Sequence, residues 1–248
     1  MINGFRVFDA HAHLGAALHS GRVHTADSML RAMDAAGVER CLLIPFPVVE
    51  DVRLEHTKIA SALREHPGRF AGAACIPPFI PRAAFLDELR RCAEEYGFRA
   101  LKLQPQYQPL NPMSPDSDWF FQAAEELKLS LVCHTGTGAP FALPSLFLPA
   151  ALRHPQLPIV LSHCGGSSYY LEAIVAAGIA PNILLELSSL VPHQVLEVLK
   201  YVPATRLMVG SDLPSSISSE LGKIAALEVD IEIRRSILWD TPSRLYGA

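Results

Sequence analysis

The sequence has no long uninterrupted run of apolar residues and no tract of basic residues. Its longest stretch without Asp, Glu, Lys or Arg is 129–152, which three prolines and two glycines interrupt. A membrane-spanning helix needs about 20 apolar residues with intact backbone hydrogen bonding, so none is predicted. With 21 Lys+Arg against 25 Asp+Glu, the net charge of −4 argues against nucleic-acid binding through phosphate neutralisation.

Cysteine is scarce, and its spacing indicates neither a disulfide framework nor a Cys-x-x-Cys motif. The five cysteines are odd in number. Segment 1–6 also lacks the basic start and apolar core of a signal peptide. We therefore expect reduced thiols and a cytoplasmic protein.

Apolar segments recur about every 30 residues along the chain, and a helical pattern follows each of them. The apolar segments are 5–11, 40–44, 70–76, 100–103, 129–134, 158–163, 183–187 and 206–210. The helical segments are 26–36, 53–65, 83–96, 117–127, 143–153, 168–177, 193–200 and 220–226. Gly37, Gly97 and Gly178 follow three of these helices and predict where they end.

Eight such units in 248 residues predict an α/β fold, the (β/α)8 TIM barrel of parallel strands. We expect one domain over 1–248, with 229–248 as a helical appendage. A doubly wound open sheet is the alternative. It requires a glycine-rich turn after the first strand, whereas 9–15 contains one glycine and two histidines.

Polar side chains with metal-binding chemistry stand at the ends of four predicted strands. His11 and His13 end the first, His134 the fifth and His163 the sixth, while Asp212 follows the eighth. Residues i and i+2 of a strand point to the same side, so the first two imidazoles can share one target. Any one of these histidines alone is as readily a structural residue. Together they predict a metal site at the face where barrels carry their active sites.

Four segments resemble the amidohydrolase superfamily, most closely its amidohydrolase-related (amidohydrolase 2-like) branch. They are 8–15, 132–136, 161–166 and 210–214. That branch includes decarboxylases and lactonases of small acids. The resemblance extends from Phe8 to the 245–247 tail and is specific to the superfamily, not to one reaction.

The resemblance implies a ligand set for one divalent metal ion per chain, with zinc favoured and a second ion left open. The set is His11, His13, His134 and Asp212. His163 would lie beside the reacting water or the substrate, and in dinuclear relatives it would bind a second metal.

Lys102, in the fourth apolar segment, has three interpretations. It could bind a substrate carboxylate as a free amine, pair with Glu186, or be carboxylated and bridge two metals. Gln104, two residues further on, should face the same way and reach the substrate. His19, Tyr107 and Ser188 are weaker candidates for contact with the substrate.

We therefore expect a metal-dependent hydrolase in which a metal-activated water attacks an amide, ester or lactone of a small molecule. Asp212 would take the water's proton, and His163 would donate to the developing oxyanion or orient the substrate. A metal-dependent decarboxylase or lyase of a small carboxylic acid is the alternative, followed by a non-catalytic ligand-binding barrel. Homo-oligomerisation stays open.

Overall fold

The computed structural model describes residues 1–136 and 138–247. The strands are β1 (Phe8–Ala16), β2 (Val23–His24), β3 (Arg40–Pro45), β4 (Phe70–Ala74), β5 (Ala100–Leu103), β6 (Ser130–His134), β7 (Ile159–Ser162), β8 (Ile183–Glu186) and β9 (Leu207–Met208). The helices are α1 (Ala26–Ala36), α2 (Val52–Glu65), α3 (Arg82–Arg90), α4 (Asp118–Glu126), α5 (Leu148–Arg153), α6 (Gly166–Ile179), α7 (Pro192–Leu199), α8 (Ile217–Ala225), α9 (Ile231–Arg235) and α10 (Thr241–Tyr246). None of these helices is both long enough and apolar enough to cross a membrane.

The nine strands form one sheet in the order β2-β1-β3-β4-β5-β6-β7-β8-β9. Every neighbouring pair is parallel except β1 and β2. The sheet curls, because backbone hydrogen bonds also join β1 to the segment after β9: Ala10 N donates to Val209 O at 3.0 Å and Asp212 N to His11 O at 2.7 Å. The prediction of an α/β fold with a parallel sheet is confirmed, and β2 is an unpredicted addition.

Helices cover the outer face of the sheet, and small and apolar side chains fill its inner face. The inner cluster includes Phe8, Ala10, Leu42 and Val160. Tyr246 of α10 belongs to it, and Trp239, in the π-helical turn between α9 and α10, packs against it. The predicted appendage is therefore helical and closes one end of the inner cluster, although residue 248 lies outside the described residues.

Several element boundaries differ from the prediction, and those of α6 and β1 bear on the argument. The helix expected over 168–177 continues through Gly178 to Ile179, so that glycine does not end it. The first strand continues beyond residue 11 to Ala16 and contains an extra residue, because Asp9 pairs with Cys41 while Ala12 pairs with Leu43. Such a bulge changes which side chains face inward.

Candidate metal centre

His11, His13 and Asp212 meet at the inner face of the sheet. The bulge in β1 turns both imidazoles inward, and the backbone of Asp212 forms a parallel bridge with Ala12 between them. His11 Nε2 lies 3.4 Å from His13 Nε2 and 3.6 Å from Asp212 Oδ1. His13 Nε2 lies 3.5 Å from the same oxygen, so three donor atoms converge on one point.

Hydrogen bonds at the far edges of the two rings determine which nitrogen faces that point. His11 Nδ1 lies 3.3 Å from Glu186 Oε2, and His13 Nδ1 lies 3.3 Å from the Pro45 carbonyl oxygen. Both partners are acceptors, so each Nδ1 carries the hydrogen. Each Nε2 then presents its lone pair, as in metal-binding histidines held by an outer acceptor.

The protonation states also suit a cation. Burial lowers the pKa of His13 to about 4 and that of His11 well below its usual range. Burial alone would raise the pKa of Asp212, but His11, His13 and other neighbours lower it to about 2. At neutral pH the cluster is thus two neutral imidazoles and one carboxylate, a donor set that fits a divalent metal ion.

The other two predicted histidines lie beside this cluster. The His163 ring is centred 5.1 Å from the His11 ring and 4.8 Å from the His134 ring. Burial lowers the pKa of His134 to about 2, so this imidazole is also neutral. Within the described residues, His134 is not among the groups whose ligand atoms all lie within 4.8 Å of one another.

Lys102 is fully buried, and its amine points at the same centre. Nζ lies 3.1 Å from His11 Nε2. Burial lowers the pKa of this amine. Among the described residues Lys102 forms no ion pair with Glu186, whose carboxylate is occupied elsewhere.

A cavity of about 300 Å³ opens over the cluster. Besides His13, His134 and Asp212, it is lined by His19, Ser20, Arg22, Phe46, Pro47, Gln104, Gln106, Tyr107 and Leu213. Gln104 is 9% exposed, and its side-chain oxygen has no hydrogen-bond partner among the described residues. The His19 and Tyr107 rings, 4.5 Å apart, bring the loops after β1 and β5 together.

Sequence reasoning gave no role at this centre to Arg22 or Asp9, and it considered Glu186 only as a partner of Lys102. Arg22 brings a positive charge to the cavity, and no motif marked it. Asp9 is fully buried and accepts from Ser211 N at 2.9 Å, Ser211 Oγ at 2.6 Å and His11 N at 3.2 Å. Glu186 contacts the backbone of three loops, and the one available signal was a carboxylate ending an apolar strand.

A family model described as amidohydrolase matches residues 8–248. The chain belongs to the amidohydrolase family. Members of this family are metal-dependent, in agreement with the converging donor atoms. The match runs through all four segments on which the resemblance depended.

Solved structures of other proteins share the fold. A candidate amidohydrolase from Staphylococcus aureus is 17% identical, with a TM-score of 0.78 over 98% of this chain and 100% of that one. A 5-carboxyvanillate decarboxylase from Novosphingobium aromaticivorans, complexed with manganese, is 15% identical, with a TM-score of 0.75 over 99% and 97%. A 4-oxalomesaconate hydratase from Rhodopseudomonas palustris is 15% identical, with a TM-score of 0.71 over 97% and 95%. At these identities the likeness shows the fold and leaves the reaction open.

Proposed function

We propose that this amidohydrolase is a metal-dependent hydrolase in which water attacks an amide, ester or lactone of a small molecule. The observation that carries the proposal is the convergence of His11 Nε2, His13 Nε2 and Asp212 Oδ1 on one point beneath a cavity. His134 completes the proposed ligand set from the cavity wall. We favour one zinc ion per chain. We also propose that the chain forms one domain with a closed (β/α)8 barrel. The hydrogen bonds between β1 and 209–212 support this closure.

A divalent ion held there would lower the pKa of water from 15.7 toward about 7 and polarise the scissile carbonyl. Asp212 has the geometry of the proton acceptor, because its side chain is 39% exposed to the cavity while its Oδ1 stays beside both histidines. With a pKa lowered to about 2, the carboxylate is ionised at neutral pH. It can return that proton to the leaving group.

Residues around the cavity would bind and orient the substrate. Gln104 offers an amide with an unpartnered oxygen, and His163, on the inner side, can orient the reacting carbonyl. Lys102 would supply a compact positive charge for a substrate carboxylate. The volume of about 300 Å³ suits a small molecule.

A decarboxylase acting on a small carboxylic acid is the second candidate. It is favoured by the two positive side chains near the centre, Lys102 and Arg22. Within the described residues Arg22 forms no ion pair, so its guanidinium is available to a substrate anion. The decarboxylase and hydratase with this fold show that it accommodates lyase reactions.

The deciding experiment uses metal-loaded protein and two panels of substrates, one of small esters, lactones and amides and one of aromatic and unsaturated carboxylic acids. Hydrolysis is followed by release of acid, and decarboxylation by release of CO₂. We expect turnover in the first panel, abolished by Asp212→Ala. Turnover confined to CO₂ release from the second panel would replace the hydrolase proposal with the lyase.

The cellular location we propose is the cytoplasm. It is supported by five buried cysteines that form no disulfide among the described residues. Fractionation of cells that express the protein, followed by immunodetection, tests this. Recovery outside the cytoplasmic fraction would contradict it.

A further inference from the structure

The carboxylate of Glu186 is a hub of hydrogen bonds beneath the centre. It is 1% exposed at the end of β8. Oε1 accepts from Ser188 N at 2.8 Å and from Gly210 N at 2.9 Å. Oε2 accepts from Ser188 Oγ at 2.8 Å and from His163 N at 3.0 Å, and lies 3.3 Å from His11 Nδ1.

Glu186, His11 and His163 place ligand atoms within 4.8 Å of one another, but the contacts above already use the lone pairs of the Glu186 carboxylate. A carboxylate has two oxygens and about four lone-pair directions, and here it meets five donors. Its function is therefore to order the groups around it, not to ligate a cation.

The hydroxyl of Ser188 links the Glu186 carboxylate to the ring of His163. This hydroxyl has one hydrogen, which it donates to Glu186 Oε2 at 2.8 Å. The hydroxyl oxygen, 2.7 Å from His163 Nδ1, must then accept a hydrogen from that nitrogen. His163 thus carries its hydrogen on Nδ1 and a lone pair on Nε2, at the opposite edge of the ring.

We propose that Glu186 sets the tautomer of two histidines, His11 directly and His163 through the hydroxyl of Ser188. One buried carboxylate thereby gives both rings an Nε2 lone pair. Glu186 and Ser188 are positioning residues, and this role is the same whether the reaction is hydrolysis or decarboxylation. Failure of the proposed function would leave this inference standing, and the reverse is also true.

The test is nuclear magnetic resonance of protein labelled with ¹⁵N in histidine, because protonated and unprotonated ring nitrogens give separate signals. Spectra are recorded on zinc-loaded protein at about pH 8, above the ordinary histidine pKa of about 6.5. His163 is assigned by its loss in His163→Gln. In the wild type we expect a protonated Nδ1 and an unprotonated Nε2 for this ring.

Three serine variants decide the role of the hydroxyl. Ser188→Ala should lose the single Nδ1–H tautomer, with the His163 signals moving toward the Nε2–H form. Ser188→Thr keeps a hydroxyl and should restore the wild-type signals. Ser162→Ala is the matched control, because Ser162 is fully buried, precedes His163 in the chain, and its hydroxyl has no partner among the described residues.

Two outcomes would overturn the inference. One is a wild-type His163 protonated on Nε2. The other is a Ser188→Ala protein, folded by circular dichroism, in which His163 keeps its Nδ1–H tautomer. Glu186→Gln would disturb five contacts at once, and its effect could not be assigned to one of them. The test therefore depends on the serine variants.

Discussion

At the scale of single residues, Asp212 faces both the histidine pair and the open cavity. Its Oδ1 lies within 3.6 Å of His11 Nε2 and His13 Nε2, while its side chain is 39% exposed. Its backbone adopts a φ of 63°, in the left-handed region that a non-glycine residue rarely occupies. Strain of this kind, of order 1–3 kcal/mol, concentrates at functional sites where the surrounding structure enforces it.

The first prediction concerns Asp212→Asn. The amide can occupy the same space but cannot accept a proton at neutral pH, so turnover should fall by about 10²–10⁴-fold. Steady-state rates on a substrate identified with the two panels measure this, with metal content determined on the same samples. Near-normal turnover in a metal-loaded variant would remove Asp212 from the role of proton acceptor.

The second prediction concerns Lys102→Met, which keeps the length of the side chain but removes its charge. If the amine binds a substrate carboxylate, KM should rise while the metal content stays at the wild-type level. Gln104→Leu, in the wall of the cavity, should also raise KM and serves for comparison. A Lys102 variant that loses half its metal would instead indicate a carboxylated lysine bridging two ions.

Among the structural elements, β1 and the segment after β9 form one unit around the centre. Gly210 packs so closely on β1 that a Cβ at this position would lie 2.4 Å from His11 Cβ and 2.6 Å from His11 N. The next residue, Ser211, is held to β1 by the carboxylate of Asp9. The position of the first imidazole therefore depends on a glycine in another part of the sequence.

The third prediction follows from that contact. Gly210→Ala should displace His11, destabilise the fold and weaken metal binding, because the obstructing atoms include backbone. Gly222→Ala, in α8, is the matched control: its Cβ meets nothing within 4 Å and should stabilise the protein by about 0.5–1 kcal/mol. Thermal unfolding and metal titration measure both. Equal behaviour of the two variants would contradict this view of the contact.

How far the sequence predicts these elements depends on the range of the interactions. The period-2 rule for strands brought His11 and His13 to one side, and the apolar segments located the eight main strands. The bulge in β1 could not be predicted from the sequence, because it depends on pairing with β3. The part played by Glu186 was also beyond reach, since its partners Gly210 and His11 are distant in sequence. The prediction that Gly178 ends a helix was wrong, because α6 continues past it to Ile179.

In the whole molecule, the centre stands above an apolar layer that the C-terminal helices close. Phe8, Leu42 and Tyr246 belong to this layer and are each at most 1% exposed. Such surroundings penalise charged imidazoles, which accounts for the low pKa values of His11 and His13. The architecture thus prepares neutral ligands for a metal, and it makes the metal-free protein sensitive to acid.

The fourth prediction is this acid sensitivity. The pKa of His13 is about 4 in the folded state and 6.5 ordinarily. Between pH 6.5 and pH 4, His13 is therefore protonated in the unfolded chain but neutral in the folded chain. The contribution of His13 to stability is therefore constant above pH 6.5 and falls as pH drops toward 4, by up to about 1.4 kcal/mol per pH unit.

Urea unfolding of metal-free protein between pH 7 and pH 5 measures the slope, and His13→Asn should make it shallower. The pKa of Asp9, raised by burial to about 7, acts in the opposite direction but is common to both proteins. Identical slopes in the wild type and the variant would contradict the low pKa of His13.

The metal content of a histidine double variant tests the proposed centre most directly. Elemental analysis of purified wild-type protein should give about one divalent ion per chain. His11→Ala/His13→Ala should contain none while its far-UV circular dichroism is unchanged, and His66→Ala, at the end of α2, should match the wild type. A folded double variant that still contains a full equivalent of metal would contradict the assignment of the site.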